Sequence, residues 1–405
     1  MTADLSPDGA SALFREGGLP EIQAAIRAEG LDGWLLFDFH GQNPVAAALL
    51  GLGKTTRRSF ALIPAEGEPE LLLHAIEHSS WRHWPWRKRS YSGWRQMEEA
   101  LGQLVAGRPR LAMETSARSA VPTLDLVPAG IAELLRAAGV EPASSGTLVS
   151  AFHSRWTGEQ LEVHRETAVT VAAVARDAFT IAADGARSGR PRTEGEVSEW
   201  IHAELAARGV GCDVDCIVAI GPRAADPHYH PGSEGEPIRR GDVLLIDLWG
   251  RPSPRDVAAD QTWMGYMGAE LPESARPVWE AVRDARDEAL RFLRERAAAG
   301  QDVRGFEVDD VCRALIAGRG YGDAFVHRTG HSIDRDMHGS GPNLDNLETR
   351  DDRKLIPGIA FSVEPGIYLP DVLGVRSEVN VFWSESGPEV TTPEPQDEVF
   401  LLLEE

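Results

Sequence analysis

The chain has 405 residues, and its 63 acidic against 41 basic side chains give a formal net charge of −22. This length favours two or three domains, and 42% hydrophobic with 26% charged residues is typical of a folded globular protein. The charge argues against nucleic acid or an anionic membrane surface as the main partner. No run of about 18 uncharged apolar residues occurs, and Asp4 and Asp8 precede no apolar leader, so we expect a cytoplasmic protein.

The cysteines are Cys212, Cys216 and Cys312, which leave one unpaired in any disulfide scheme. Cys212 and Cys216 alone are too few for a zinc ribbon. We therefore expect buried or half-buried thiols in a reducing compartment.

The N-terminal part of the chain alternates helical and apolar segments. The patterns are helical at 19–29 and 131–138 and strand-like at 33–38, 59–64 and 69–74. This alternation predicts a small α/β domain over residues 1–153.

One stretch of this domain interleaves aromatic and basic residues. Its tryptophans are Trp81, Trp84, Trp86 and Trp94. Such a pattern can bind single-stranded nucleic acid, but on a chain with this negative charge a dimer or domain contact is the favoured interpretation.

A boundary near residue 154 introduces the second domain. Thr157 with Gln160, and Thr193 with Glu196, form capping-box patterns that predict the starts of two helices. Strand patterns are present at 214–220 and 243–246, helical patterns at 276–299 and 308–317, and short strands from 359 onward. Residues 154–405 are thus predicted to form a mixed α+β domain with antiparallel hairpins.

Charged or ionisable residues lie in strand-like settings of this domain where charge is unfavourable. They are Asp247, Asp260, His331, Glu364 and Glu378. A carboxylate at a buried strand costs several kcal/mol unless it is paired, hydrogen-bonded or bound to a metal. Four carboxylates and an imidazole make an oxygen-rich set that suits two divalent cations such as Mn²⁺, Co²⁺, Zn²⁺ or Fe²⁺. Two such ions can hold a bridging hydroxide that attacks a polarised carbonyl.

The second domain resembles the pita-bread metallopeptidases, which include methionine aminopeptidase, aminopeptidase P, prolidase and creatinase. The matching motifs are 241–247, Gly330-His331, 363–368 and 375–378, and the order Asp, Asp, His, Glu, Glu is that of the family's ligands. The resemblance implies that Asp247 binds one metal, that His331 and Glu364 bind the other, and that Asp260 and Glu378 bridge them. Glu364 would also act as the general base.

The resemblance assigns further residues. His228 would face the substrate and the bridging water, and His338 would donate a hydrogen bond to the scissile carbonyl. His327 has a substrate role or a purely structural one. Arg376 would pair with the acidic cluster, and Thr262 is retained from the family's pattern around the second aspartate.

The sequence departs from the family at several places. The two aspartates are 13 residues apart (260 − 247) where the family usually has eleven, and the extra residues are expected at a hairpin tip. Trp263 replaces an arginine of the family, and segment 332–337 is more polar than usual. These departures indicate a divergent branch.

The sequence therefore predicts a smaller creatinase-like α/β domain, residues 1–153, followed by a pita-bread catalytic domain, residues 154–405. The resemblance implies a dinuclear exopeptidase specific for Xaa-Pro, of the dipeptidase or aminopeptidase P type, acting on short peptides as a homodimer, with manganese ahead of zinc or cobalt. The alternatives are an exopeptidase of the same fold without proline preference, a creatinase-like C–N hydrolase, and a non-catalytic binding module.

Overall fold

The structure, a computed structural model, describes residues 11–53, 55–212 and 216–404. The chain divides into two compact units, Met1–His153 and Ser154–Glu405. Each unit has hydrophobic core clusters of its own, as expected of a domain.

The N-terminal unit is built on a mixed sheet with the strand order β4-β3-β2-β1-β5-β6. Its strands are β1 (Gly33–Asp38), β2 (Ser59–Pro64), β3 (Glu70–His74), β4 (Arg87–Tyr91), β5 (Arg110–Met113) and β6 (Glu141–Ser144). Its helices are α1 (Gly18–Ala28), α2 (Pro44–Leu50), α3 (Trp94–Val105), α4 (Ala129–Ala137) and α5 (Gly146–Phe152). The central strands β1 and β2 are buried along their whole length, which explains why they read as continuous apolar runs and not as alternating ones.

The interpretation of the tryptophan stretch as a contact surface is wrong for two of its members. Trp81 and Trp84 are 0% and 3% exposed and belong to the core of the N-terminal unit. Their rings pack edge-to-face on one another, and Phe14 packs edge-to-face on Trp84. Only Trp94, at 54%, keeps most of its surface exposed.

The C-terminal unit has long helices outside and short, mostly antiparallel sheets inside. Its helices are α6 (Gly158–Arg187), α7 (Glu194–Ala207), α8 (Arg276–Ala298) and α9 (Gly305–Gly318). Its strands are β7 (Ile217–Ile220), β8 (Val243–Gly250), β9 (Ala259–Tyr266), β10 (Ser332–Ile333), β11 (Ala360–Val363), β12 (Gly366–Leu369), β13 (Leu373–Arg376), β14 (Val379–Ser384), β15 (Gly387–Val390) and β16 (Phe400–Leu401). Part of the strand predicted at 214–220 lies outside the described residues.

Three sheets arise from these strands, with the orders β16-β9-β8-β7, β10-β11-β14-β15 and β12-β13. Helices α6 and α7 pack on the sheet of β7, β8 and β9, and α8 packs against β13 and β15. Both predicted capping boxes are present, at Thr157 with Gln160 and at Thr193 with Glu196. The mixed α and β architecture predicted for this half of the chain is confirmed.

Among residues 11–53, 55–212 and 216–404, no helix combines the length and the apolar character that crossing a membrane requires.

Candidate metal centre

The hairpin of β8 and β9 positions the two aspartates. Asp247 is paired with Thr262 across the ladder, and Asp260 precedes Thr262 by two residues. Because side chains alternate along a strand, Asp247, Asp260 and Thr262 share one face of the sheet. The residues between the strands, 251–258, form the tip, so the longer spacing of the aspartates does not change their face.

His331 reaches this face through a close contact between two backbone segments. A Cβ atom at Gly330 would lie 2.0 Å from the carbonyl oxygen of Ser362, so only glycine allows this approach. The His331 N–H donates to Ser362 Oγ at 2.9 Å. The Glu364 N–H donates to the Thr329 carbonyl at 2.7 Å, which fixes the glutamate beside the histidine.

The His331 ring is held in the tautomer that a metal ligand needs. Its Nδ1 lies 3.1 Å from the Ser332 carbonyl oxygen and must donate there. The lone pair of Nε2 then faces Asp260 Oδ2 at 3.5 Å and Glu364 Oε1 at 3.4 Å.

Arg376 is the last residue of β13, and Glu378 lies two residues after it. Thr262 Oγ1 donates to Glu378 Oε2 at 2.9 Å and accepts from Arg376 Nε at 3.0 Å. Arg376 also donates to Asp247 Oδ2 and, at 3.0 Å, to the Tyr368 hydroxyl. The arginine and threonine therefore orient one oxygen of Asp247 and one of Glu378.

The other oxygens of these carboxylates have no partner among the residues that the structure describes. Asp247 Oδ1 and Glu378 Oε1 are buried without a hydrogen bond. A buried carboxylate oxygen without a donor costs free energy unless a cation takes its place. Asp260, His331 and Glu378 also bring one ligand atom each to within 4.8 Å of one another. The donor set thus fits a divalent metal site.

The protonation of the carboxyl groups reflects this crowding. Burial raises the pKa of Asp247 to about 7 although Arg376 opposes the shift. Burial and the neighbouring carboxylates raise the pKa of Glu378 well above its ordinary range. Burial lowers the pKa of His331, but Asp260 and Glu364 outweigh it, so the net shift is upward. The raised pKa values of Asp247 and Glu378 indicate that Arg376 and His331 do not fully balance the charge of the carboxylates.

Both ring nitrogens of His327 are already hydrogen-bonded within the protein. Nδ1 lies 2.7 Å from the Arg328 carbonyl oxygen, and Nε2 lies 2.8 Å from the Tyr368 hydroxyl. This arrangement favours the structural alternative for His327. Tyr368 links it to Arg376 and was not singled out from the sequence, although it ends the motif 363–368.

The cluster opens into a cleft of about 570 Å³ that His228, His230 and His338 also line. The His338 ring lies edge-on to His331, with 4.4 Å between the ring centroids. The neighbouring His331 and partial burial lower the pKa of His338 to about 4, so its imidazole is neutral at pH 7. His228 and His338 are both exposed to the cleft, as groups that meet a substrate must be.

Two buried acidic residues hold the surrounding loops by hydrogen bonds. Neither was singled out from the sequence. Glu194, at the start of α7, accepts from the Tyr229 hydroxyl and the Ile220 N–H, both at 2.9 Å, and so anchors the segment of His228. Asp309 of α9 accepts from Thr329 through its N–H and its hydroxyl, at 2.9 and 2.7 Å. Only the buried setting of these acids distinguishes them, and a single sequence does not show it.

The departures from the family's pattern have local explanations. Trp263 points to the face opposite Thr262, where its ring stacks on Phe400 at 5.9 Å, so the lost arginine does not alter the metal-facing side. Asp334 accepts from the Ser340 N–H at 2.7 Å and the Asp336 N–H at 3.1 Å. The polar segment after His331 thus builds the loop that carries His338.

Gly374 of β13 lets this strand pack closely against the turn that leads to His228. A Cβ atom at Gly374 would lie 1.7 Å from the Ala224 carbonyl oxygen. Glycine is therefore required where β13 crosses the turn that leads to His228.

Comparison with known proteins agrees with this geometry. Residues 164–385 match metallopeptidase family M24. The chain is 26% identical over 337 residues to the probable dipeptidase PepE of Mycobacterium bovis, covering 82% of this chain and 83% of that protein.

Solved structures share the fold. Dipeptidase PepE from Mycobacterium ulcerans superposes with a TM-score of 0.73 at 24% identity, covering 98% of this chain and 99% of the other. An Xaa-Pro dipeptidase from Bacillus anthracis gives 0.64 at 23% identity, covering 95% and 98%. Since the family match spans more than half of the chain, this protein belongs to metallopeptidase family M24, and it shares the pita-bread fold of the solved structures.

Proposed function

We propose that the chain is an exopeptidase that uses two divalent metal ions to hydrolyse the peptide bond of short Xaa-Pro substrates. The observation that carries this proposal is the pair of buried, unpartnered oxygens, Asp247 Oδ1 and Glu378 Oε1, in a cluster that opens to a cleft. A structural ion-pair network would have satisfied them.

The ligand roles follow the resemblance to the pita-bread metallopeptidases. We assign Asp247 to one ion, His331 and Glu364 to the other, and Asp260 and Glu378 to both. Such ions would polarise the scissile carbonyl and lower the pKa of a water molecule. Manganese is our first choice because the donors are mostly hard oxygens, with zinc or cobalt as alternatives.

Glu364 is the residue proposed to move the proton. Its side chain is 15% exposed, against 6% for Asp260, so it has the better access to the cleft. Ser362 Oγ donates to Glu364 Oε1 at 3.1 Å and orients it. The carboxylate can take a proton from water and deliver it to the leaving amine.

The cleft histidines would act on the substrate. His338, neutral and beside His331, can donate an N–H to the carbonyl oxygen as negative charge develops there. His228, which lines the same cleft, would also contact the substrate. His327 is assigned a positioning role, because it holds Tyr368 and, through it, Arg376.

Proline specificity rests on the resemblance to prolidases and aminopeptidases P. The test compares manganese-loaded protein on an Xaa-Pro dipeptide, the matched Xaa-Ala dipeptide and longer peptides led by Xaa-Pro. We expect faster hydrolysis of the proline substrates. Equal rates on the alanine substrate would remove the specificity, and absence of any hydrolysis with manganese, zinc or cobalt would overturn the proposal.

The assembly and location are also proposals. We propose that residues 1–153 form a creatinase-like domain and that the protein acts as a cytoplasmic homodimer. Phe39, Ile76 and Trp94, which are 39%, 60% and 54% exposed, offer apolar surface for a subunit contact. Light scattering of the purified protein would show a single-chain mass if the dimer is wrong.

A further inference from the structure

A guanidinium group that the candidate metal centre does not include lies buried in the C-terminal unit. Arg286, near the middle of α8, is 1% exposed, although an arginine is almost never fully buried unless it is paired. Its ion-pair partner Asp287 is 50% exposed, with 2.7 Å between Arg286 Nη2 and Asp287 Oδ1. Because a partly solvated ion pair contributes little, the reason for this burial lies in the other partners of the guanidinium.

Arg286 holds the residue that directly precedes a proposed metal ligand. Its Nη1 donates to Ser377 Oγ at 2.8 Å, and the next residue is Glu378. The Ser377 N–H donates to the Pro365 carbonyl oxygen at 3.3 Å, and Pro365 directly follows Glu364. Through one serine, the arginine therefore contacts the backbone beside two of the proposed ligands.

The same nitrogen also holds a segment that is bonded to β9. Arg286 Nη1 donates to the Gln396 carbonyl oxygen at 2.8 Å. The Gln396 side chain accepts from the Met264 N–H at 2.9 Å and donates to the Met264 carbonyl at 2.7 Å. Met264 belongs to β9, the strand that carries Asp260 and Thr262. The guanidinium thus joins α8 to two segments that adjoin the centre.

Glu378 is the ligand whose position depends on this arrangement. Its N–H lies 3.4 Å from the Thr262 carbonyl oxygen, which is a long hydrogen bond. On its C-terminal side Val379 begins β14, and on its N-terminal side Ser377 is held by Arg286. A metal ligand needs such support from its surroundings to keep its oxygens in place.

We propose that Arg286 is a positioning residue of the metal centre and acts through Ser377 on the placement of Glu378. This inference rests on the proposed function, because it takes Glu378 as a metal ligand. A lysine cannot reproduce the contacts, since its ammonium group lacks the planar fork of donors. Loss of the guanidinium should therefore weaken metal binding about tenfold, the low end of the effect of changes around metal ligands.

The test measures metal binding as well as turnover. Metal-free full-length protein is titrated with Mn²⁺, and the free ion is followed by electron paramagnetic resonance. We expect Arg286→Lys and Ser377→Ala each to weaken Mn²⁺ binding about tenfold. The double variant should bind no more weakly than the weaker single variant, because both changes break the same hydrogen bond. Additive losses, or wild-type affinity in either single variant, would overturn the proposal.

Arg283→Lys is the matched control. Arg283 lies one turn earlier on α8, and its Nη1 donates at 3.3 Å to the carbonyl oxygen of Asp397, which follows Gln396. It shares the helix and the C-terminal segment with Arg286, but Ser377 is not among its partners in the described part of the chain. We expect wild-type Mn²⁺ affinity. A loss equal to that of Arg286→Lys would mean that the C-terminal segment transmits the effect, and would overturn the proposal.

Turnover separates this inference from the proposed function. At limiting Mn²⁺, Arg286→Lys should hydrolyse an Xaa-Pro dipeptide more slowly than wild type, and excess Mn²⁺ should restore most of the rate. A loss of rate that excess metal does not restore would count against a role in metal binding. Weakened Mn²⁺ binding in the variants, with a wild type inactive on every peptide, would contradict the proposed function and leave the role of Arg286 standing.

Two further outcomes complete the test. If Arg286→Lys does not fold, Ser377→Ala decides, because Arg286 is the described partner of the Ser377 hydroxyl. Unchanged Mn²⁺ affinity in Ser377→Ala would then overturn the inference, and a tenfold loss would support it. A wild-type protein that binds none of manganese, zinc and cobalt would overturn both this inference and the proposed function.

Discussion

Two buried acidic sites of this protein, one in each unit, differ in how their oxygens are used. Glu114 of the N-terminal unit is fully buried and accepts hydrogen bonds from Trp34 Nε1 at 2.7 Å, from Asn43 Nδ2 at 2.7 Å and from Ser145 Oγ at 3.1 Å. Asp247 and Glu378 are also buried, but each has an oxygen without a donor among the described residues. Burial of an acid alone is therefore compatible with a structural role, and the unpartnered oxygen identifies the functional one.

The largest expected effect follows from removing a carboxylate of the candidate metal centre in the C-terminal unit. Glu378→Gln, like Asp260→Ala, should abolish turnover and reduce bound metal, a greater loss than the roughly tenfold to hundredfold that outer-shell changes cause. The metal-free Glu378→Gln protein should melt at a higher temperature than the metal-free wild type, because a carboxyl group whose pKa is raised on folding costs stability at neutral pH. Elemental analysis, peptide hydrolysis and calorimetry measure these outcomes. Normal turnover in either variant would contradict the site.

His164 is a buried histidine with a hydrogen-bond partner for each ring nitrogen, and it should stay neutral in the folded protein. His164 Nδ1 lies 3.0 Å from the Ala258 carbonyl oxygen and Nε2 lies 2.7 Å from Thr391 Oγ1, and burial lowers its pKa from 6.5 to about 4. The unfolded chain binds this proton more readily, so stability is lost as pH falls from about 6.5 to 4, by about 3 kcal/mol in total. Urea unfolding across this pH range should show the loss in wild type, and His164→Gln should lack this part of the slope. Identical slopes would refute the assignment.

His338→Ala tests the substrate side of the centre. It should lower kcat by about 10²-fold, the cost of one hydrogen-bond donor to a developing oxyanion, without changing bound metal. A matched His230→Ala variant alters a histidine of the same cleft that has no proposed role, and should have a smaller effect. An unchanged kcat for His338→Ala would remove it from the mechanism.

The smallest effect is expected at Glu114. Ser145→Ala removes one of its three donors and should lower the free energy of unfolding by about 1 kcal/mol. Ser150→Ala is the matched control, because that buried hydroxyl donates only to the Gly146 carbonyl of its own helix. Equal losses in the two variants would mean that the carboxylate of Glu114 does not need this donor.

The sequence was sufficient to predict the main elements and the candidate ligands. Asp247 and Asp260 stand out because a charge interrupts an apolar strand, and the capping residues Thr157 and Thr193 mark helix starts by local chemistry. These signals involve neighbouring residues, so one sequence contains them.

Features that depend on distant partners could not be predicted. Trp81 and Trp84 were predicted to lie on the surface because basic residues flank them, yet both are buried, and Trp84 packs against Phe14, Trp86 and Trp81.

Gly374 has a consequence for how related chains are classified. An alanine there would push its methyl group into the backbone at Ala224 and separate the two walls of the cleft, while leaving every proposed ligand and histidine in place. A comparison of the site residues alone would classify such a chain as an active enzyme. A reliable inventory of working members should therefore score this glycine together with the ligands.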